Sequence, residues 1–252
     1  MDEDESLKEK IRQGIKVLEQ GNPKEAINIL KSIVEKNPEN IDAMYWLARA
    51  YIELDNLNSA ETYLKRILEI NPNEPEALNV LGYTYSIKGD IQTALKYYKR
   101  VLEIDPNHQY AWFNLGLSYF QLERPNEAIK YLKKAAELNP NDVDTLNLLG
   151  VVYGIVGKYD DSIKYLQRVL DIDDSIKEAW FNIGSAYAAK REYEKAIKHY
   201  EKVLELDPDD EVTLYTLGTI YIRVGLRKKG LEYIKKACEL GYKPACELLG
   251  IE

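Results

Sequence analysis

Residues 109–142 read QYAWFNLGLSYFQLERPNEAIKYLKKAAELNPND, and their pattern decides the fold. Trp112, Leu115, Gly116 and Tyr119 fall at i, i+3, i+4 and i+7, which is one face of an α-helix. Ala128, Leu132 and Ala135 make a similar stripe further on. Pro125 stands where a second helix would begin, and a first-turn proline sacrifices no hydrogen bond there. Pro140 then ends that helix and turns the chain. Gly116 and Ala128 are small enough to let the two helices approach closely. The stretch therefore predicts an antiparallel helical hairpin.

The pattern repeats outward in both directions. Pro38, Pro72, Pro106, Pro140 and Pro208 are separated by 34 residues or a multiple of it, with Asp174 in the one gap. Gly14, Gly82, Gly116, Gly150, Gly184 and Gly218 keep the same period, with Ala48 standing in once. So do Ala26, Ala60, Ala94, Ala128 and Ala196, with Ser162 and Gly230 in equivalent places. Gapless units run 7–40, 41–74, 75–108, 109–142, 143–176 and 177–210, and a shorter one covers 211–242. Residues 243–252 resemble the first half of another unit and are expected to form a C-terminal capping helix. Residues 1–6 read as an acidic N-terminal tail. One hairpin cannot bury its apolar stripe alone, so stacked neighbours must share a continuous core.

The period, with Trp112, Leu115, Gly116, Tyr119, Ala128 and Pro140 at their offsets, resembles the tetratricopeptide repeat (TPR). The resemblance spans about 7–242. It implies an all-α fold, a right-handed superhelical solenoid of antiparallel helix pairs. The first unit departs from the pattern, since Lys10, Gln13 and Val17 replace its aromatic and leucine positions. That is the expectation for a capping repeat whose outer side meets water.

In TPR proteins the first helices line the concave side, so the resemblance turns one helix face into a candidate groove. At 100° per residue, the face opposite Trp112, Leu115, Gly116 and Tyr119 carries Tyr110, Phe113, Asn114, Leu117, Phe120 and Gln121. The same row holds Tyr45, Trp46 and Arg49 in the second unit and Asn79 and Tyr83 in the third. Later units contribute Asn147, then Phe181 and Asn182, then Tyr215. The chain has three phenylalanines, Phe113, Phe120 and Phe181, and all fall on this row. Such a row is either an interaction site or a set of rings packed between adjacent first helices. Asn79, Asn114, Asn147 and Asn182 could form an asparagine ladder that pairs with a peptide backbone, or be ordinary residues of the repeat.

Chaperone-binding members of the family grip an acidic C-terminus with Lys, Arg and Asn. Here the corresponding positions hold Ile11, Ile15, Tyr45, Phe113 and Val151, and the preceding row is acidic at Asp42, Glu76, Asp144 and Glu178. A heat-shock chaperone tail is not the expected ligand. Cys238 and Cys246 lie in a stretch that resembles a Sel-like repeat junction, where this spacing can bridge adjacent helices. The pair is either a disulfide staple on the C-terminal cap or two reduced, buried thiols.

Composition narrows the function. The net charge of −8 argues against a nucleic-acid partner, whose phosphates call for clustered Lys and Arg. No apolar run is long enough to span a bilayer, and the N-terminus lacks a secretory pattern, so a cytoplasmic location is expected. His108 and His199 stand alone, with no repeated carboxylate or second ligand beside them. No metal, cofactor or catalytic motif is read. The expected function is a non-enzymatic scaffold or adaptor that holds a peptide or partner segment in the groove. The alternatives are a self-associating structural protein, a homo-oligomer, or the targeting part of a larger enzyme complex.

Overall fold

The computed structural model describes residues 3–251. Among them every regular element is an α-helix. The first helices of the pairs are α1 (Glu3–Glu19), α3 (Ile41–Glu53), α5 (Pro75–Ile87), α7 (Gln109–Gln121), α9 (Val143–Ile155), α11 (Lys177–Ala189) and α13 (Glu211–Arg223). The second helices are α2 (Pro23–Lys36), α4 (Leu57–Ile70), α6 (Ile91–Ile104), α8 (Pro125–Leu138), α10 (Tyr159–Ile172), α12 (Tyr193–Leu206) and α14 (Arg227–Glu239). A short α15 (Lys243–Leu249) follows. Helix α1 takes in residues 3–6, and the rest of the expected acidic tail lies outside the described residues. Among the described residues no helix is long and apolar enough to cross a membrane.

Local chemistry sets the helix ends. Asn40, Asn56, Asp90, Asp142 and Asp210 each accept a hydrogen bond from a first-turn backbone N–H, satisfying one orphan donor. Pro23, Pro75 and Pro125 occupy the first helical turn, where a missing N–H costs nothing. Between first and second helices the chain turns through one left-handed residue. Gly21, Gly89, Gly157 and Gly225 take that position, and so do Asp55, Glu123 and Arg191. All seven lie on the same 34-residue period.

The two helices of a pair meet through a size exchange sixteen residues apart. A Cβ on Gly14, Gly82, Gly150 or Gly184 would lie 2.8, 2.6, 2.4 and 3.0 Å from the side chains of Leu30, Tyr98, Leu166 and Tyr200 respectively. Those large side chains are all buried. Each contributes about 2 kcal/mol by leaving water, which the glycine opposite makes geometrically possible. At α13 and α14 both partners are small. Gly218 faces Gly230, and a Cβ on Gly218 would come within 2.7 Å of the Gly230 carbonyl oxygen.

The chain divides into two compact units at Leu122 and Glu123. In the first, α1 pairs with α2, α3 with α4 and α5 with α6, and α7 packs on α6. Its first helices also touch in sequence, α1 on α3, α3 on α5 and α5 on α7, so their outer faces form one surface. Its core gathers Leu30, Met44, Leu47, Leu64, Ile67 and Leu81. In the second unit α8 packs on α9, and α9/α10, α11/α12 and α13/α14 form pairs with α15 on α14. Tyrosines stack between the two helices of a pair, Tyr51 on Tyr63 and Tyr85 on Tyr97 in the first unit and Tyr153 on Tyr165 in the second.

One polar network ties neighbouring pairs in the first unit. Glu61 on α4 accepts hydrogen bonds from Lys65 (2.6 Å), from Tyr85 Oη on α5 (2.7 Å) and from Lys88. The hydrogen bond from Lys65, then that from Lys88, pull its carboxyl down from 4.5 to about 2.

Two stability experiments follow. Gly218→Ala places a methyl group against backbone that cannot give way. Urea unfolding is expected to show a net loss of about 1–2 kcal/mol, overpacking outweighing the better helix propensity of alanine. An unchanged midpoint would contradict the close approach of α13 and α14. For Glu61 the folded carboxyl titrates below the unfolded one, so its stabilisation is present above the unfolded value and fades as pH falls. The stability gap between wild type and Glu61→Gln is expected to hold above pH 4.5 and to close as pH approaches about 2. A gap that widens on acidification would contradict the network.

Candidate functional site

The surface made by α3, α5 and α7 carries a cavity of about 500 Å³. Tyr45, Arg49, Asn79, Tyr83, Tyr110 and Asn114 line it, all from the row expected to face a ligand. Glu53 and Glu76 also line it. A smaller hollow of about 210 Å³ adjoins through the shared residues Tyr45 and Glu76, and Asp42, Trp46 and Glu74 line it as well.

Each side chain is held by its helix neighbours. Tyr45 meets Trp46 edge-on, with ring centroids 5.5 Å apart. The Arg49 guanidinium lies over the Trp46 ring at 4.8 Å and near Tyr45 at 6.0 Å. Burial raises the Tyr45 hydroxyl above its ordinary pKa, opposed by Arg49. Asn114 Nδ2 donates to Asn79 Oδ1 (3.0 Å) across α5 and α7. Part of the expected asparagine row is therefore spent inside the protein. Asn79 is only 8% exposed, and its own Nδ2 has no acceptor among the described residues.

The rings that meet water are tyrosines rather than phenylalanines. Tyr110 is 62% and Tyr83 44% exposed. Phe113, Leu117 and Phe120 are half-buried on α7 and do not line the cavity. Phe181 is half-buried too, packed on Tyr200 at 5.3 Å. The aromatic row is therefore mixed, with tyrosines exposed on the cavity wall and phenylalanines half-buried outside it.

His108 is expected to stand alone, but the fold brings a carboxylate to it. It is buried at the N-cap of α7, where Nδ1 accepts from the Ala111 N–H (3.1 Å). Its Nε2 lies 3.4 Å from Glu76 Oε1, a polar contact without the alignment of a hydrogen bond. The partner is on the preceding first helix, 32 residues away, so no local motif announces it.

In the second unit the predicted residues are spread over smaller features. Asn182 lines two hollows of about 220 and 230 Å³, the first with Phe181 and Lys177 and the second with Val151 and Ile155. Asn147 Oδ1 is buried with no hydrogen-bond partner among the described residues. Tyr215 packs on Tyr242 at 5.3 Å, in the cluster under the C-terminal helix. That cluster includes Cys238, which is joined to Cys246 by a disulfide with a Cα–Cα distance of 4.8 Å. The bridge fixes α15 to α14. Closing so short a loop is worth about 2.5 kcal/mol.

Comparison with known proteins fixes the family. Tetratricopeptide repeat profiles match residues 17–82, 75–108, 110–142, 131–164 and 178–210. A Sel1 repeat profile matches 215–242. No curated protein matches the chain. Among solved structures, MamA is 32% identical with a TM-score of 0.62, over 66% of this chain and 96% of its own. YrrB, described as a TPR protein with an unusual peptide-binding site, is 24% identical with a TM-score of 0.63, over 74% of this chain and 96% of its own. A tetratricopeptide repeat protein from Parabacteroides merdae is 22% identical with a TM-score of 0.65, over 98% of each chain.

The bridge can be checked by thiol alkylation and intact mass. Cys238 and Cys246 are expected to resist alkylation until a reductant is added and then to take up two adducts. Alkylation of the unreduced protein would contradict a bridged pair. The chain belongs to the tetratricopeptide repeat family, with a Sel1 repeat near its C-terminus.

Proposed function

We propose that the protein is a non-enzymatic interaction scaffold that holds an extended segment of a partner protein on the face of α3, α5 and α7. The observation that carries this reading is the cavity of about 500 Å³, in which ten side chains from three successive repeats converge. Its walls combine aromatic rings with amide and charged groups, the mixture that peptide sites use for anchoring and orientation. YrrB, a structural relative, is described by its peptide-binding site. The asparagine contribution is smaller than the repeat pattern alone implies, because Asn79 and Asn114 bond to each other.

The anchors are Tyr83 and Tyr110, the two most exposed aromatic rings of the cavity wall. Peptides selected from a displayed random library against the full chain supply the ligand. Replacing both tyrosines with alanine is expected to weaken such a peptide on the order of tenfold or more, as loss of aromatic anchors does. Both side chains are substantially exposed, so the variant retains its fold, which circular dichroism checks. Unchanged affinity for every selected peptide would contradict the reading.

A further inference from the structure

We infer that the α3–α5–α7 cavity and its neighbouring hollow are selective for a basic segment, one that places Lys or Arg side chains between Tyr45, Tyr83 and Tyr110. This rests on the reading of that face as the binding surface and names the chemistry of its occupant.

Charge carries the first part. The two adjoining hollows are lined by four carboxylates, Asp42, Glu53, Glu74 and Glu76, against one cation, Arg49. None of the four forms an ion pair with Lys or Arg among the described residues. Glu74 accepts a hydrogen bond from Asn71 Nδ2 (2.8 Å), and Glu76 has only the His108 contact. Most other acid–base traffic in this unit runs elsewhere, as at Glu61, which holds both Lys65 and Lys88. The carboxylates of the hollows are left for an incoming cation.

Arg49 does not cancel them. Its guanidinium is already seated on Trp46, which also demonstrates that aromatic faces here accept a cation. The three tyrosines lining the larger hollow offer further ring faces of the same kind.

The second part is independent of charge. Asn79 lines the larger hollow, is more than nine-tenths buried, and keeps an Nδ2 with no acceptor. That Nδ2 is open to the hollow rather than sealed in the core, so it can donate to a carbonyl oxygen, which a peptide backbone supplies. A backbone carbonyl on Asn79 with cationic side chains on either hand satisfies both features at once.

The test uses the full chain and labelled peptides of one apolar framework bearing lysine, arginine, glutamate or serine. At low salt, the lysine or arginine peptide is expected to bind on the order of tenfold more tightly than the serine peptide, and the glutamate peptide more weakly still. Glu53→Gln with Glu76→Gln is expected to abolish that preference. Glu69→Gln with Glu103→Gln removes the same charge from exposed sites on α4 and α6 and is expected to preserve it. Three results overturn the inference: no preference for basic peptides, a preference for glutamate that points to Arg49, or equal losses in the two double variants. If neutral peptides bind and Tyr83→Ala with Tyr110→Ala releases them, the groove stands while its basic selectivity falls. If no peptide binds at all, both readings fall.

Discussion

Everything in this molecule depends on how closely two helices of a pair can approach. The eighth residue of most first helices is glycine, and a leucine or tyrosine sixteen residues later fills the space a side chain would take. At Gly150 a methyl group would sit 2.4 Å from Leu166, so the space is filled completely. Because that contact fixes the pair, it also fixes which residues of the first helix turn away from it. The outward residues of α3, α5 and α7 then share one surface, since those helices touch in order. The cavity is a consequence of that spacing, with no loop or insertion needed to build it.

The same constraint explains the division of labour between helices. Second helices carry most of the lysine and arginine, and several of these bond the turn of the preceding repeat. Arg100 donates to the Pro72 carbonyl, Arg168 to Pro140 and Lys236 to Pro208. These contacts hold the repeats of Arg100, Arg168 and Lys236 each to the one before it. Among first helices α7 has no charged side chain and α3 has one cation, Arg49, so the face they share with α5 is acidic and aromatic. A net charge of −8 is therefore distributed unevenly, and its local effect is greatest where carboxylates lack partners.

Much of the fold was legible in residue type and spacing. Pro125 marks a helix start and Gly82 and Ala94 a close approach, each for a stated steric reason, and the recurrence of such positions at 34 residues sets the helix pairs. One signal was overlooked. Gly21, Gly89, Gly157 and Gly225 recur at twice the period because Asp55, Glu123 and Arg191 occupy the intervening left-handed turns. The site was legible only as a face. Helical geometry placed Tyr45, Asn79 and Tyr110 on it, but the pairing of Asn79 with Asn114 depends on the register between α5 and α7. The nearness of His108 to Glu76 comes from the same inter-repeat packing, which one helix wheel cannot contain.

The central claim is that the first-helix face, and not the second helices, receives the partner. Amide hydrogen exchange with and without a saturating bound peptide tests it most directly. Added protection is expected in α3, α5 and α7 while α4 and α6 exchange as before. Protection centred on α4 and α6, or none in α3, α5 and α7, would contradict the account.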